Sequence, residues 1–244
     1  MSTEHISLLC LAILIVAFLY SSVGHAGASG YIAVMTLFGL GVAVIKPAAL
    51  VLNILVAIIG AFQFWRAGHF SWKLFWPFAV ASVPLAFLGG YLNLPTHVFK
   101  ILVGVVLLYS AARFLIRPKA DEETDGPSKA VALSVGAGLG LLSGLTGTGG
   151  GIFLTPILIF MRWAKTKTAS AVSALFILVN SISGLAGNIS STRQLPVFVL
   201  PLVICAITGG TVGSYLGSRQ FSPLFIKRLL AVVLTIAGLK LIFA

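Results

Sequence analysis

Ten apolar segments, five in each half, alternate with short polar stretches along this chain of 244 residues. In the first half they cover about 5–23, 31–45, 47–66, 72–93 and 97–116, and in the second about 129–145, 152–163, 168–190, 195–217 and 222–243. A run of about 18 or more apolar residues is long enough to cross the roughly 30 Å hydrocarbon layer of a bilayer. The pattern therefore predicts an all-α, polytopic integral membrane protein.

Composition and charge agree with this prediction. The chain is 59% hydrophobic and 9% charged, whereas a soluble domain carries about 25% charged residues. The net charge of +11 comes from basic residues scattered at the ends of apolar segments, where loop charges set membrane orientation. We therefore expect a lipid bilayer as surroundings and no nucleic-acid partner. Cys10 and Cys205 both lie in apolar segments, so no disulfide framework is predicted.

The second half of the sequence repeats the first at low identity, with an offset that grows from 121 to 127 residues. The matched pairs are Ser22 and Ser143, Gly30 and Gly151, Lys46 and Lys167, Gly89 and Gly213, and Lys100 and Lys227. Internal duplication of this kind is typical of secondary transporters. The predicted division is a first membrane repeat at 1–117, a hydrophilic linker at 118–128 and a second membrane repeat at 129–244.

The basic residues predict how the repeats are oriented. With an odd number of crossings per half, twelve of the sixteen Lys and Arg face one side, whereas an even number splits them eight to eight. Because cytoplasmic loops are rich in Lys and Arg, the odd number is favoured. The second repeat is then inverted, both termini are periplasmic and the linker is cytoplasmic. The short second segment of each half either spans the membrane or forms a re-entrant hairpin with the first, since both arrangements have the same parity.

Two glycine-rich loops occupy matching positions between the first and second segments of each half: Ser22 to Gly30, SVGHAGASG, and Ser143 to Gly151, SGLTGTGGG. Glycine allows positive φ angles, so a helix can break there. A break at membrane depth is tolerated where it is buried in protein or lines a polar cavity. The helix that follows each loop would direct N–H groups into the break and attract an anion. The alternative is that these glycines serve only close helix packing.

The polar residues in the apolar segments indicate the class of substrate. All five acidic residues lie outside those segments, whereas transporters of cations rely on buried carboxylates. Neutral donors near helix N-termini suit an oxyanion, and neither a metal nor a cofactor is expected. The candidate substrate-binding residues are Ser22, His25, Gly27, Ser29, Gly30, Asn53, Ser143, Thr146, Gly147, Thr148, Gly149, Gly150, Gly151 and Asn180.

Several of these side chains have more than one interpretation. Asn53 and Asn180 either face a substrate or form interhelical hydrogen bonds. His25 could carry a proton, bind the anion or cap a helix end. Lys46 and Lys167 begin the third segment of each half and are interpreted as interfacial anchors rather than ligands.

An intramembrane serine protease is the enzyme class that one short motif suggests. Residues 27–30 read Gly-Ala-Ser-Gly, which matches a Gly-x-Ser-Gly pattern. A serine nucleophile needs a histidine base within hydrogen-bond reach, and none lies in a later apolar segment. We therefore do not expect an enzyme.

The second loop and its continuation, GLTGTGGGIFLTPIL from Gly144, resemble the glycine–proline signature of the TauE/SafE sulfite-exporter family. The duplicated layout, the size and the charged central linker are also similar to that family. The first-repeat copy departs from the signature, since Ala28 and Ser29 replace Gly149 and Gly150 and Met35 replaces Pro156. The resemblance implies a bacterial inner-membrane transporter of sulfite, organosulfonates or related sulfur anions, in either direction.

The sequence thus predicts a secondary transporter of small sulfur-containing anions, with export as the preferred direction. The anion would bind near the midplane between the two glycine loops, and one repeat would move against the other. The alternatives are an anion channel of the same architecture and a proton-coupled importer that uses His25. The sequence leaves a homo-oligomer open.

Overall fold

A computed structural model describes residues 3–92, 108–109, 111–112, 125–192 and 200–243. The helices over these residues are α1 (Thr3–Ser22), α2 (Ala28–Leu37), α3 (Val42–Arg66), α4 (Trp72–Tyr91), α5 (Lys129–Thr146), α6 (Gly151–Phe160), α7 (Thr166–Thr192), α8 (Leu200–Tyr215) and α9 (Pro223–Phe243). A single π-helical turn, Leu216–Gln220, follows α8 directly. The fifth predicted segment, 97–116, lies almost wholly outside the described residues.

The prediction of an all-α polytopic protein is confirmed. Six helices in the described part of the chain are long and apolar enough to cross a bilayer: α1, α3, α4, α5, α7 and α8 extended by its π turn. In contrast, α2 and α6 have ten residues each. At 1.5 Å per residue each is about 15 Å long, which is half of the hydrocarbon layer.

The boundary between the second and third segments differs from the prediction. The sequence pattern places it at Lys46, but α2 ends at Leu37 and α3 begins at Val42. The break falls at two glycines: Gly39 has φ +75° and Gly41 precedes α3 in an extended conformation. Lys46 therefore lies inside α3, whereas Lys167 is the second residue of α7, so the two lysines do not begin their helices at equivalent places.

Two helix pairs pack through rows of glycine. On α5, Gly136, Gly140 and Gly144 lie against the α4 backbone at Phe78, Ser82 and Ala86 respectively. Small residues four positions apart allow helix backbones to approach closely in membrane proteins. The residue numbers on the two helices rise together from one contact to the next, so α4 and α5 are parallel.

The pair of α1 and α8 is built in the same way. Gly209 and Gly213 of α8 lie against the α1 backbone at Leu14 and Phe18, and Gly217 of the π turn lies against Ser22. This pair is also parallel. In both pairs one helix comes from each half of the sequence.

Further contacts define the remaining helix directions. Hydrogen bonds and packing join Val83 to Ser183 and Phe87 to Gly187, so α4 and α7 are parallel. Asn53 contacts Ser181 and Gly60 faces Ala174, so α3 and α7 are antiparallel.

The ends of the helices complete this arrangement. Ser170, near the start of α7, bonds to Val23 just after α1, and Lys167 bonds to Ser218 just after α8. His69, just after α3, bonds to the same Ser218 carbonyl. Thus α1, α3 and α8 run one way, and α4, α5 and α7 run the other way.

Two hydrophobic cores hold these helices together. The first core, A, is formed mainly by α1, α2, α3 and α8. The second, B, is formed mainly by α4, α5, α6, α7 and α9. Each core therefore takes one long helix from the other half of the sequence, α8 in core A and α4 in core B, and the halves interlock. Helices α3 and α7 meet between the cores. They are the most enclosed of the six long helices, with 56% and 61% of the residues in an 18-residue apolar stretch buried.

The outer surface has the features of a membrane protein. Large apolar side chains such as Leu11 and Ile15 on α1 point outward. Trp65, Trp72 and Trp76 are also exposed and lie around the turn between α3 and α4. Tryptophan is enriched at membrane–water interfaces, so this turn marks one edge of the apolar belt. The same end carries a cluster of basic residues, namely Arg66, Lys73, Lys165, Lys167 and Arg219.

Two glycines of α5 give a matched test of the packing. A Cβ at Gly140 would overlap the Ser82 backbone, whereas a Cβ at Gly138 would meet nothing. Both alanine variants gain helix propensity, but overpacking of the α4–α5 contact costs about 1–3 kcal/mol. We expect Gly140→Ala to lower the melting temperature in detergent and Gly138→Ala to leave it unchanged or raise it. Equal melting temperatures of the two variants would contradict this close contact.

Candidate functional site

The two glycine loops connect α1 to α2 and α5 to α6. Loop 1 comprises residues 23–27 and loop 2 residues 147–150. Gly24 and Gly27 have φ of +80° and +99°, and Gly147 and Gly150 have φ of +73° and +78°. These glycines correspond at an offset of 123 residues (24 to 147, 27 to 150), rather than the 121 indicated by the sequence match. Positive φ strains any other residue, which accounts for glycine at these positions.

Asn53 of α3 contacts both loops. Its Oδ1 accepts a hydrogen bond of 3.0 Å from the N–H of Ala28, the first residue of α2. Its Nδ2 donates to Ser181 Oγ at 2.9 Å and, more weakly, to the Thr148 carbonyl at 3.5 Å. The residue is fully buried. Asn53 therefore forms an interhelical hydrogen bond, which is one of its two predicted roles. Its side chain also links the end of loop 1 to loop 2.

His25 of loop 1 is bonded to the other half of the protein. Its Nε2 lies 2.9 Å from Thr155 Oγ1 on α6, and Thr155 in turn donates to Ser173 Oγ on α7 at 2.7 Å. The imidazole is 4% exposed and lies beside the backbone of Gly151. A buried chain of three side chains thus links loop 1 to core B.

The first-turn residues of α3 and α7 contact the glycines of the loops. Ser170 of α7 donates to the Val23 carbonyl at 2.8 Å and fills the space where Gly24 lacks a side chain. At the corresponding place in loop 2, the stem of Lys46 fills the space beside Gly147. The equivalent partner of Lys46 in space is therefore Ser170, not Lys167.

Several candidate residues have local structural roles. Ser22 is the last residue of α1 and donates to the Phe18 carbonyl, while Thr146 donates to Leu142 in the same way. Ser29 donates to the Tyr20 hydroxyl. Gly30 lies within α2 and allows it to pack against Val16 and Tyr20. These residues border the loops, and the contacts described here use them for packing and capping.

The remaining loop-2 residues are enclosed by α7 and α5. Side chains added at Gly149 would meet Asn53, Ile177 and Ser181, and at Gly150 would meet Phe176 and Ser143. Gly151, the first residue of α6, lies against Ile177. Thr148 is 7% exposed, and its hydroxyl lies 2.8 Å from that of Thr146. The loop has no free space for larger side chains.

Five buried side-chain atoms have no hydrogen-bond partner among the described residues: Ser21 Oγ, His25 Nδ1, Tyr31 OH, Ser143 Oγ and Asn180 Oδ1. All five lie in or beside the loops. Ser21 precedes loop 1, and Tyr31 touches Gly27. Ser143 touches Gly150, and Asn180 donates its amide to Phe176, whose ring also touches Gly150. Unpaired buried polar atoms in a native structure require an explanation, such as an unseen ligand or water.

On the polar face of α7 the sequence analysis singled out only Asn180 and missed the other residues. Thr166, Ser170, Ser173, Asn180 and Ser181 are all buried, and three of them bond to loop 1, α6 or α3. Thr166, Ser170, Ser173 and Asn180 are separated by four, three and seven residues, which places them on one side of a helix. This spacing is visible in the sequence alone. Lys227 of α9 is another buried polar residue that was not singled out. Within the described residues no group of His, Cys, Asp and Glu could hold a metal ion.

Residues 9–241 match the profile of a family described as "Sulfite exporter TauE/SafE". The chain belongs to this family. It is 40% identical over its whole length to the whole of "Probable membrane transporter protein y4hK" of Sinorhizobium fredii. It is 25% identical to "Probable membrane transporter protein YjnA" of Bacillus subtilis, over 94% of this chain and 96% of that protein. No solved structure matches the chain significantly. Because the chain belongs to this family and six of its described helices can cross a bilayer, it is a multi-pass membrane transporter.

The two asparagines make a matched pair for a stability test. Asn53→Ala leaves the Ala28 N–H and Ser181 hydroxyl without their partner, and each unsatisfied buried group costs about 1–3 kcal/mol. Asn180→Ala loses one bond to a carbonyl of its own helix. We expect a clear fall in melting temperature for Asn53→Ala and a small change for Asn180→Ala. The reverse order would show that Asn53 does not hold the loops together.

Proposed function

We propose that this protein is a secondary transporter that exports small sulfur-containing anions, such as sulfite or organosulfonates, across the bacterial inner membrane. The substrate binds between loop 1 and loop 2. The observation that carries this proposal is the concentration of buried, unpartnered polar atoms around these loops. Membership of the family supports a sulfur anion as the cargo.

The electrostatics of the loop region favour an anion. No Asp or Glu occurs in α2, α3, α6 or α7 by sequence. The groups supplied there are hydroxyls, amides, one imidazole and the N-terminal ends of α2 and α6. Helix N-termini carry partial positive charge, and buried donors in a low-dielectric region stabilise negative charge more strongly than in water. Unpartnered donors such as Tyr31 and Ser143 are available to an oxyanion.

The two halves are proposed to be inverted repeats. Support comes from the helix directions, since α1 and α5, α3 and α7, and α4 and α8 each occupy the same place in their half and run in opposite directions. The similar backbone of the two loops adds to this. With the basic end of the protein in the cytoplasm, both termini are periplasmic.

The moving bodies in this proposal are cores A and B. A motion of one sequence half against the other would break the glycine-mediated pairs α1–α8 and α4–α5. A motion of core A against core B leaves both pairs intact. The interface between them carries few direct polar contacts, chiefly those of Asn53, His25 and Ser170. Alternating access follows if this interface opens to each side in turn.

Ser143 offers a test that separates binding from folding. Its hydroxyl is buried and bonds to no described residue, so Ser143→Ala removes no internal hydrogen bond and should leave the melting temperature unchanged or slightly raised. We expect sulfite flux in proteoliposomes to fall at least about tenfold, as for loss of one charge-assisted bond.

The control for this experiment is Ser82→Ala, which changes a buried serine of α4 whose hydroxyl bonds within its own helix and should leave flux unchanged. Bulky substitutions at Gly149 or Gly150 are less informative, because they would collide with Asn53 or Phe176 and disturb folding as well. Full flux by a stable Ser143→Ala protein would contradict the site.

We further propose that export is electrogenic uniport. Moving one elementary charge through 100 mV changes its free energy by about 2.3 kcal/mol, so an inside-negative membrane drives roughly 50-fold accumulation of a monovalent anion outside. Proteoliposomes with potassium–valinomycin potentials of either sign, at equal pH, should show sulfite flux that follows the potential. Flux that follows only a pH gradient and disappears in His25→Ala would instead support a proton-coupled importer.

A further inference from the structure

The side chain of Lys46 lies beside loop 2. Its Cγ is 3.1 Å and its Cε 3.8 Å from the point where a Cβ of Gly147 would lie. The whole side-chain stem therefore runs along Gly147, and the ammonium group ends next to the loop.

The ammonium of Lys46 has no hydrogen bond or ion pair with any residue that the structure describes. Several other cations among the described residues do have an interaction with another residue. Lys167, for example, donates to the Ser218 carbonyl at 3.2 Å at the basic end. Lys46 is located at the opposite end of α3 from the basic cluster, and its side chain is partly buried. Burying a charge without a counter-ion costs free energy. A transported anion would supply the counter-ion that Lys46 lacks.

The corresponding glycines of the two loops, Gly24 and Gly147, face different side chains. Gly24 of loop 1 faces Ser170, a neutral side chain already bonded to Val23. Gly147 of loop 2 faces Lys46 at the corresponding place. The hydroxyls of Thr146 and Thr148 and the unpartnered Ser143 hydroxyl belong to the same loop region. Loop 2 therefore combines a positive charge with neutral donors.

We propose that Lys46 is a substrate-binding residue that supplies positive charge to an anion site at loop 2, and that this site selects small monoanions over dianions of similar size. This inference rests on the proposed transport of anions. One ammonium group compensates one negative charge. A dianion carries a second negative charge, and no other cation of the described residues contacts loop 2 to compensate it. Burial of an uncompensated charge is strongly disfavoured.

Binding to the purified full-length protein tests this assignment, with methanesulfonate as the monoanion, sulfate as the dianion and sulfite as a third probe. We expect the wild type to bind methanesulfonate at least about tenfold more tightly than sulfate, and Lys46→Met to weaken methanesulfonate binding by at least about tenfold. Lys46→Arg keeps the charge and should stay within about threefold of the wild type. The matched control is Lys73→Met, which removes an exposed lysine of α4 and should change affinity less than about twofold.

Chemical rescue tests the charge within one folded protein. In a Cys10→Ala, Cys205→Ala background, Lys46→Cys modified with aminoethyl methanethiosulfonate regains a cation close to that of lysine. Modification with sulfonatoethyl methanethiosulfonate adds a negative charge instead. We expect the first reagent to restore methanesulfonate binding and the second to leave it abolished. Under the proposed topology both reagents reach position 46 from the periplasmic side.

The outcomes distinguish the two proposals. Wild-type binding of these anions that is undiminished in Lys46→Met, or equally restored by both reagents, would overturn the role of Lys46 and leave anion transport standing. Wild-type preference for sulfate would overturn the selection of monoanions. Failure of the wild type to bind any of the three anions would overturn the proposed function and, with it, the role of Lys46.

Discussion

Backbone that leaves a helix inside a membrane protein must find hydrogen-bond partners within the protein, and the arrangement of the central helices follows from this constraint. At loop 1 the Val23 carbonyl is bonded by Ser170 of α7, and the Ala28 N–H is bonded by Asn53 of α3. The partners come from the two most enclosed helices, one from each half of the sequence. The loops can exist at this depth because α3 and α7 carry polar side chains on the faces directed toward them.

The glycine rows set a second constraint, which acts on motion. Where Gly140 meets Ser82 and Gly213 meets Phe18, backbone lies directly on backbone. Packed interfaces of this kind change between discrete arrangements and do not deform continuously. The parallel pairs are therefore rigid, and each ties one half of the sequence to the other. The polar contacts around Asn53 and His25 are few by comparison, so rearrangement between the cores at the loops disturbs the least apolar packing.

The apolar pattern was sufficient to predict the helical fold and the long spanning helices, because segment length is a local property. It misplaced the start of α3, since Lys46-Pro47 was read as the boundary while the positive φ of Gly39 produced the break. It also missed Thr155, Ser173 and Ser181. These serines and threonines are common in apolar helices, and their importance arises from contacts across more than 100 residues, such as that between His25 and Thr155.

Two glycines with positive φ occupy corresponding places in the loops, but the side chains around them differ. Loop 1 is held by Ser170, Asn53 and the chain from His25 to Ser173, while the Nδ1 of His25 and the nearby hydroxyls of Ser21 and Tyr31 have no partner among the described residues. Loop 2 lies beside the unpartnered hydroxyl of Ser143, on α5, and beside the side chain of Lys46. In the proposed site, the charge of Lys46 favours an anion at loop 2, while the contacts of loop 1 connect the two cores. Two equivalent loops would present the same affinity to both sides of the membrane. In the proposed pathway, the position of Lys46 near only one loop makes the pathway asymmetric in charge along its length.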